Sequence, residues 1–284
     1  MNILIYKNNK NIGGNYMPNW NMNNLNVKGE PKLVLQFIQD NFLTQKAQKE
    51  SDEYVYILDF EKFLPTPLDE KGEIIEDWYN WRCKNWGTKW SASSWQSIYL
   101  DITGNGVEDV ELNNQQENSF NEDTIKRLLE QLPEEYDEAV LQCSFDTAWC
   151  PPEGMYYLWK EKYQQLGLEL TMKYYESGCC FAGEYWFSKD QECDVCYGDD
   201  EVSYIKYLLD EGWEHIEFYI DELNFMLDAM NKDKGEEFIN KLQEVVENKI
   251  LDAPSNLERA KLIVDIFDNF RECECKYKEE KKGE

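Results

Sequence analysis

Two β-rich runs, residues 168–175 and 179–187, are separated by only the three residues Glu176-Ser-Gly178. A connection that short closes an antiparallel hairpin, because parallel neighbours need a crossover of roughly a dozen residues or more. Any sheet built around it is therefore at least partly antiparallel. The rest of the chain supplies strands and helices in mixed order. Residues 21–29 form a polar-flanked strand around Met22, Leu25 and Val27, ending at Gly29-Glu-Pro31. Proline suits a first helical turn, and Leu33, Leu35, Phe37, Ile38 and Phe42 then recur near helical spacing. Residues 54–60 are β-branched and aromatic and are stopped by Pro65-Thr-Pro67. With hairpin ends and no regular run of βαβ units, the pattern predicts an α+β fold, an antiparallel sheet carrying its helices on one face.

Further strands are expected at 97–102 and 139–145, with helices at 124–132 and 154–166. The Asn- and Gln-rich stretch near 104–121 has little apolar surface to bury and is expected to be an exposed loop or insertion. From Glu201 onward the texture becomes helical, with segments near 201–210, 214–231, 235–251 and 256–271. Stripes such as Leu223, Met226, Leu227 and Met230, or Leu262, Ile263, Ile266, Phe267 and Phe270, have the spacing of a helical core face. The chain thus divides into an α+β domain, 1–198, and a small all-helical C-terminal region, 199–284.

Asp and Glu number 57 against 29 Lys and Arg, a formal net charge of -28. The excess is distributed, at -17 over residues 1–199 and -11 over 200–284. Binding to nucleic-acid phosphates needs clustered cations, so direct nucleic-acid binding is not expected, whereas a basic protein surface is a plausible partner. No segment approaches the roughly 20 apolar residues of a membrane span, and the start lacks a secretory pattern, so a cytoplasmic location is expected. Nine cysteines, an odd number in a long chain, point to reduced thiols.

Four separated segments carry a resemblance. They are Met17-Pro-Asn-Trp20 leading into Leu25-Asn-Val-Lys-Gly29; Asp59-Phe-Glu-Lys-Phe-Leu-Pro-Thr-Pro67; Trp81 through Asn85-Trp-Gly-Thr-Lys-Trp90; and Phe145-Asp-Thr-Ala-Trp-Cys-Pro-Pro152. In this order they resemble the YubB-type family of plasmids and phages, over about residues 17–187. The resemblance implies a ferredoxin-like sheet and no defined catalytic residue set. It leaves the stretch at 104–121 and the region after residue 200 unaccounted for.

Trp78, Trp81, Trp86, Trp90 and Trp95 crowd into eighteen residues, most of them expected to be structural. Gly87-Thr88 between two tryptophans suggests a tight turn presenting Lys89, with Asp146 and Trp149 closing the same corner. The candidate interaction residues are accordingly Trp81, Trp86, Gly87, Thr88, Lys89, Trp90, Asp146 and Trp149, since Trp is prominent at interface hot spots. Cys193-Asp-Val-Cys196 has the spacing of half a zinc site, and Cys273-Glu-Cys275 could supply two more thiolates. The separation of about eighty residues and the missing second CxxC weigh against a structural zinc, and no cofactor is expected. His215, the sole histidine, stands beside acids without a nucleophile motif.

The function these features suggest is an anti-defence inhibitor from a mobile element. It would bind a host defence complex, a nuclease or nucleic-acid sensor, sterically or with a DNA-like acidic surface, and possible homo-oligomerisation would run through the helical region. The alternatives are a small-ligand protein or enzyme using Lys89, Asp77, Asp146 and Glu176 around the tryptophans, and a structural phage or plasmid protein.

Overall fold

The computed structural model describes residues 19–46, 54–114, 120–176, 181–196, 201–210 and 253–265. Seven antiparallel strands form one sheet: β1 (Trp20–Gly29), β4 (Ser97–Gly104), β5 (Val110–Asn113), β6 (Tyr136–Ala148), β7 (Glu169–Glu176), β8 (Phe181–Phe187) and β9 (Glu192–Cys196). Their order is β5-β4-β6-β1-β7-β8-β9. A separate two-stranded sheet joins β2 (Phe42–Lys46) to β3 (Tyr54–Leu58). The fold is α+β with a large antiparallel sheet, and the hairpin at 168–187 is present as β7 and β8.

The helices are α1 (Pro31–Asn41), α2 (Phe60–Phe63), α3 (Trp78–Asn85), α4 (Glu122–Gln131), α5 (Glu153–Tyr163) and α6 (Glu201–Asp210). Along β1 the residues alternate: Asn21, Asn23, Leu25 and Val27 are buried, while the intervening residues face the other side. That period of two buries one face of the sheet. α1 begins at Pro31, whose missing N–H is no loss in a first turn, and turns Val34, Leu35, Phe37, Ile38 and Asn41 inward. α5 contributes Met155, Tyr156, Trp159 and Tyr163 to the same core. Asn41 links the two helices, since its Oδ1 accepts the Trp159 indole N–H at 2.7 Å and its amide donates to the Phe37 carbonyl at 2.8 Å. β1 and β4 run parallel to each other on either side of β6, and β6 and β7 run parallel on either side of β1. The chain passes from β6 to β7 through α5.

Several sequence boundaries move. The strand expected over 54–60 stops at Leu58, because Asp59 caps α2 by accepting the Glu61 N–H and Phe60 turns into the core. Phe42 belongs to β2 rather than to the helix before it. The stretch at 104–121 is not all loop: Val110–Asn113 is edge strand β5, with Leu112 opposite Leu100 and Val110 opposite Ile102. A sheet edge needs few apolar residues to be held, so polarity alone hid it. β6 is thirteen residues long, well beyond the 139–145 expected.

In the C-terminal region, α6 and a helical segment at 256–265 lie where helices were expected, and the Asn256 amide donates to Asp210 Oδ1 at 2.9 Å. α6 packs against β8. The helices expected at 214–231 and 235–251, with His215, lie outside the described residues. Among the described residues no helix is long and apolar enough to cross a membrane.

Candidate interaction site at the aromatic corner

The segments around residues 20, 60, 86 and 148 meet at one end of the sheet. Trp86 is fully buried at the C-terminal end of α3, its indole donating to the Leu64 carbonyl at 3.0 Å. Phe60 and Trp81 meet it edge-on at 5.9 and 6.0 Å, and the Arg82 guanidinium lies 4.7 Å from its ring centroid. Arg82 is held in turn by Glu61 Oε1 at 2.6 Å and Thr66 Oγ1 at 2.9 Å, and Thr66 donates its N–H and hydroxyl to the same carboxylate.

The turn after α3 presses on the start of α5. Gly87 has φ +86, and a Cβ there would sit 2.7 Å from the Glu153 nitrogen. The left-handed conformation and the close approach both require glycine. Thr88, 2 % exposed, donates to the Ala148 carbonyl at 3.0 Å, which fastens the turn to the end of β6. The Asp146 backbone exchanges hydrogen bonds with Ser93, its N–H to Oγ at 3.1 Å and its carbonyl from the Ser93 N–H at 2.9 Å.

Around this braced frame, aromatics reach the surface. The Lys89 ammonium lies 4.6 Å from the Trp90 centroid and 5.8 Å from that of Tyr79, and Trp90 meets Trp20 at 6.0 Å. Trp149 is a non-glycine residue at φ 72, its N–H donating to the Asn19 carbonyl at 2.9 Å. That conformation is uncommon for a bulky residue and holds the indole at the surface. Trp20, Met22, Tyr79 and Trp149 are between 42 and 48 % exposed. Of the eight candidate residues, Trp86, Gly87 and Thr88 are thus the frame and Trp81 a half-buried flank, Lys89, Trp90 and Trp149 face solvent at least in part, and Asp146 is half-buried opposite Met22. Trp20, Met22 and Tyr79 were not among the candidate interaction residues, although Trp20 closes the first motif segment and Met22 belongs to the first expected strand. Only the strand alternation of Trp20 and Met22 onto the open sheet face could have signalled two of them.

Compared with protein-family models, with curated proteins and with solved structures, the chain finds no match. The corner's chemistry therefore stands on its own geometry. Asp146 lies beside Met22 on the open face of the sheet. Burial pushes its carboxyl up to about 6. The unfolded carboxyl titrates at about 4, so the folded chain holds this proton longer, and stability is lost as pH rises from about 4 to about 6. Asp146→Asn, neutral throughout, is expected to be more stable than the parent at pH 7 by about 1 kcal/mol after allowance for partial exposure, and equal to it near pH 4. Urea denaturation at the two pH values measures this, and an unchanged pH dependence in Asp146→Asn would refute it.

The four polar groups that a pocket at this corner would need do not converge. Glu176, 1 % exposed, stands in register with Asn21 on the helix-covered face, so the sheet separates it from Asp146. Asp77 is exposed and accepts from the Asn80 amide, and Lys89 covers Trp90. Cys193 and Cys196 both lie on β9, opposite Trp186 and Gly183. Positions three apart on a strand point to opposite faces, so these two thiols cannot close on one metal ion from this strand. Cys273 and Cys275 lie outside the described residues, and among the described residues no group of three or more His, Cys, Asp or Glu is placed to hold a metal. A cleft of about 490 Å³ lies instead between α1, α2 and α4, lined by residues of which none was a candidate site residue from sequence.

Proposed function

We propose that this chain is a non-catalytic protein-binding inhibitor, of the kind mobile elements encode, that acts in the host cytoplasm and docks its aromatic corner on a host defence complex with a basic nucleic-acid-binding surface. The observation that carries this reading is the corner itself. Trp20, Trp90, Trp149 and Met22 are left partly exposed on a frame braced by Trp86, Thr88 and the Glu61–Arg82 pair. Rigid aromatics presented in this way lose little entropy on binding and are typical hot-spot anchors.

The YubB-type resemblance supports the reading. Its four motif segments, far apart in sequence, all contribute contacts to this corner. We further propose that β7-β1-β6-β4 is a ferredoxin-like core, with β5 added at one edge and β8 and β9 at the other. The strand order and the α5 crossover favour it.

The acidic excess offers a second, distinct contact. Glu108 and Asp109, before β5, and Glu134, Glu135 and Asp137, around the start of β6, are exposed, and the Tyr136 hydroxyl ties the two loops by donating to the Glu108 carbonyl at 2.8 Å. They sit at the opposite end of β6 from the corner, about 40 Å away at the rise of an extended strand. Expressing the chain in bacteria that carry individual defence systems, with phage challenge and pull-down, tests the proposal. Trp20→Ala/Trp149→Ala is expected to keep the fold, to weaken the retained complex at least ~30-fold, and to restore defence. Raising salt from low to physiological is expected to slow association through the acidic end. If no system is disabled and no host protein is retained, the proposal fails.

A further inference from the structure

The cleft between α1, α2 and α4 has a lining at odds with the rest of the molecule. Three lysines, Lys62, Lys126 and Lys162, converge on it with two carboxylates, Asp40 and Glu122, which leaves it cationic by one charge in a chain of net charge -28.

Both carboxylates are already engaged. Asp40 accepts from Lys162 Nζ at 2.7 Å, the Tyr163 hydroxyl at 2.5 Å and the Gln36 amide at 2.9 Å. Glu122 accepts from Lys126 at 2.7 Å and from the Thr44 hydroxyl at 3.4 Å. Lys126 and Lys162 each retain N–H groups beyond these single contacts.

Gln39, also in the lining, has its amide oxygen occupied by the Gln36 amide at 3.3 Å, and the polar groups left open are donors. The Lys62 ammonium makes no hydrogen bond or close ion pair among the described residues, its backbone N–H being spent on the Asp59 carbonyl at 3.1 Å, and it acts on Glu122 only through its field. Tyr56 is only 5 % exposed, its ring packed on Phe42 and Phe120 at 5.8 and 5.7 Å, and its hydroxyl makes no hydrogen bond among the described residues. Burial, and then the Glu122 carboxylate, push that hydroxyl well above the usual phenol range, so it keeps its proton and can donate. Phe63 adds an aromatic wall, already faced by the Lys162 ammonium at 5.0 Å.

We propose that this cleft binds a small organic anion, a phosphate ester or a carboxylate, through Lys62, the Tyr56 hydroxyl and the spare N–H groups of Lys126 and Lys162. A site whose acceptors are engaged and whose free groups are donors selects an acceptor-rich anion. The field of a chain this acidic repels anions elsewhere, so saturable binding reports the cleft. The site shares no residue with the aromatic corner and does not depend on it.

Calorimetric titration of the full chain with AMP, inorganic phosphate, citrate and adenosine tests the assignment. AMP or citrate is expected to bind saturably, and adenosine at least tenfold more weakly than AMP. Phosphate-containing probes binding without citrate identify a phosphate site, and citrate alone a carboxylate site. Lys62→Ala, an exposed position, and Tyr56→Phe, which keeps the ring packing, are each expected to weaken binding about tenfold. Lys28→Ala, a cation outside the cleft, should leave it unchanged. The proposal is overturned if no anion saturates at millimolar concentration, if adenosine binds as well as AMP, or if Lys62→Ala binds like the parent.

Discussion

Replacing Trp86 with Ala is expected to lower the unfolding free energy by about 4 kcal/mol, the range for a fully buried large aromatic truncated to a methyl group. The side chain fills the space between Phe60 and Trp81, donates its indole N–H to the Leu64 carbonyl, and gives the Arg82 guanidinium a face to rest on. Truncation leaves a cavity, a carbonyl without its donor, and a cation with less to stack against. Trp149→Ala is the contrast, since that indole is 43 % exposed. Its cost should stay within about 0.5 kcal/mol, because the left-handed φ of 72 is as unfavourable for Ala as for Trp and its strain is unchanged by the substitution. Urea denaturation followed by fluorescence reads both variants. A loss below about 1 kcal/mol in Trp86→Ala would remove Trp86 from the frame and return it to the candidate binding surface.

That division of labour among the tryptophans was only partly legible in the sequence. Spacing identified a dense aromatic segment and ordered it with the turn at Gly87. It could not separate Trp86 from Trp90, because burial here is decided by what arrives from β6 and α5, more than fifty residues later. Trp20 reached the corner through its strand register opposite Ala148, a pairing that no local pattern encodes. Elements with strong periodicity, such as β1, α1 and the β7–β8 hairpin, were legible because each buries a face it can announce by itself. β5 and β9 were not, since edge strands are held by backbone bonds to a neighbour and need no apolar pattern of their own. The cleft was invisible for a related reason. Its lysines come from α2, α4 and α5, and each alone has the appearance of a solvated helix position.

Gly154→Ala is expected to destabilise the chain by about 3 kcal/mol, opposite in sign to the usual effect of this change within a helix. Gly154 is the second residue of α5. Alanine is ordinarily favoured there by about 1 kcal/mol over glycine. At this position a Cβ would lie 2.2 Å from the Asn85 carbonyl oxygen and 2.9 Å from the Trp86 carbonyl carbon. Both are backbone atoms at the end of α3, so no side chain can swing aside, and α3 and α5 must part. Gly87 faces the same junction from the other side. The two glycines together let α3 and α5 touch backbone to backbone, which sets Thr88 against Ala148 and Trp90 beside Trp20. Gly167→Ala separates conformational strain from contact, because Gly167 has φ +93 with nothing within 4 Å of a Cβ, and should cost only about 1 kcal/mol. Urea midpoints for the two variants decide the matter. A Gly154→Ala chain as stable as its parent would show that α3 and α5 can separate without cost, and the aromatic corner would then lose the rigidity on which its proposed role as a docking surface rests.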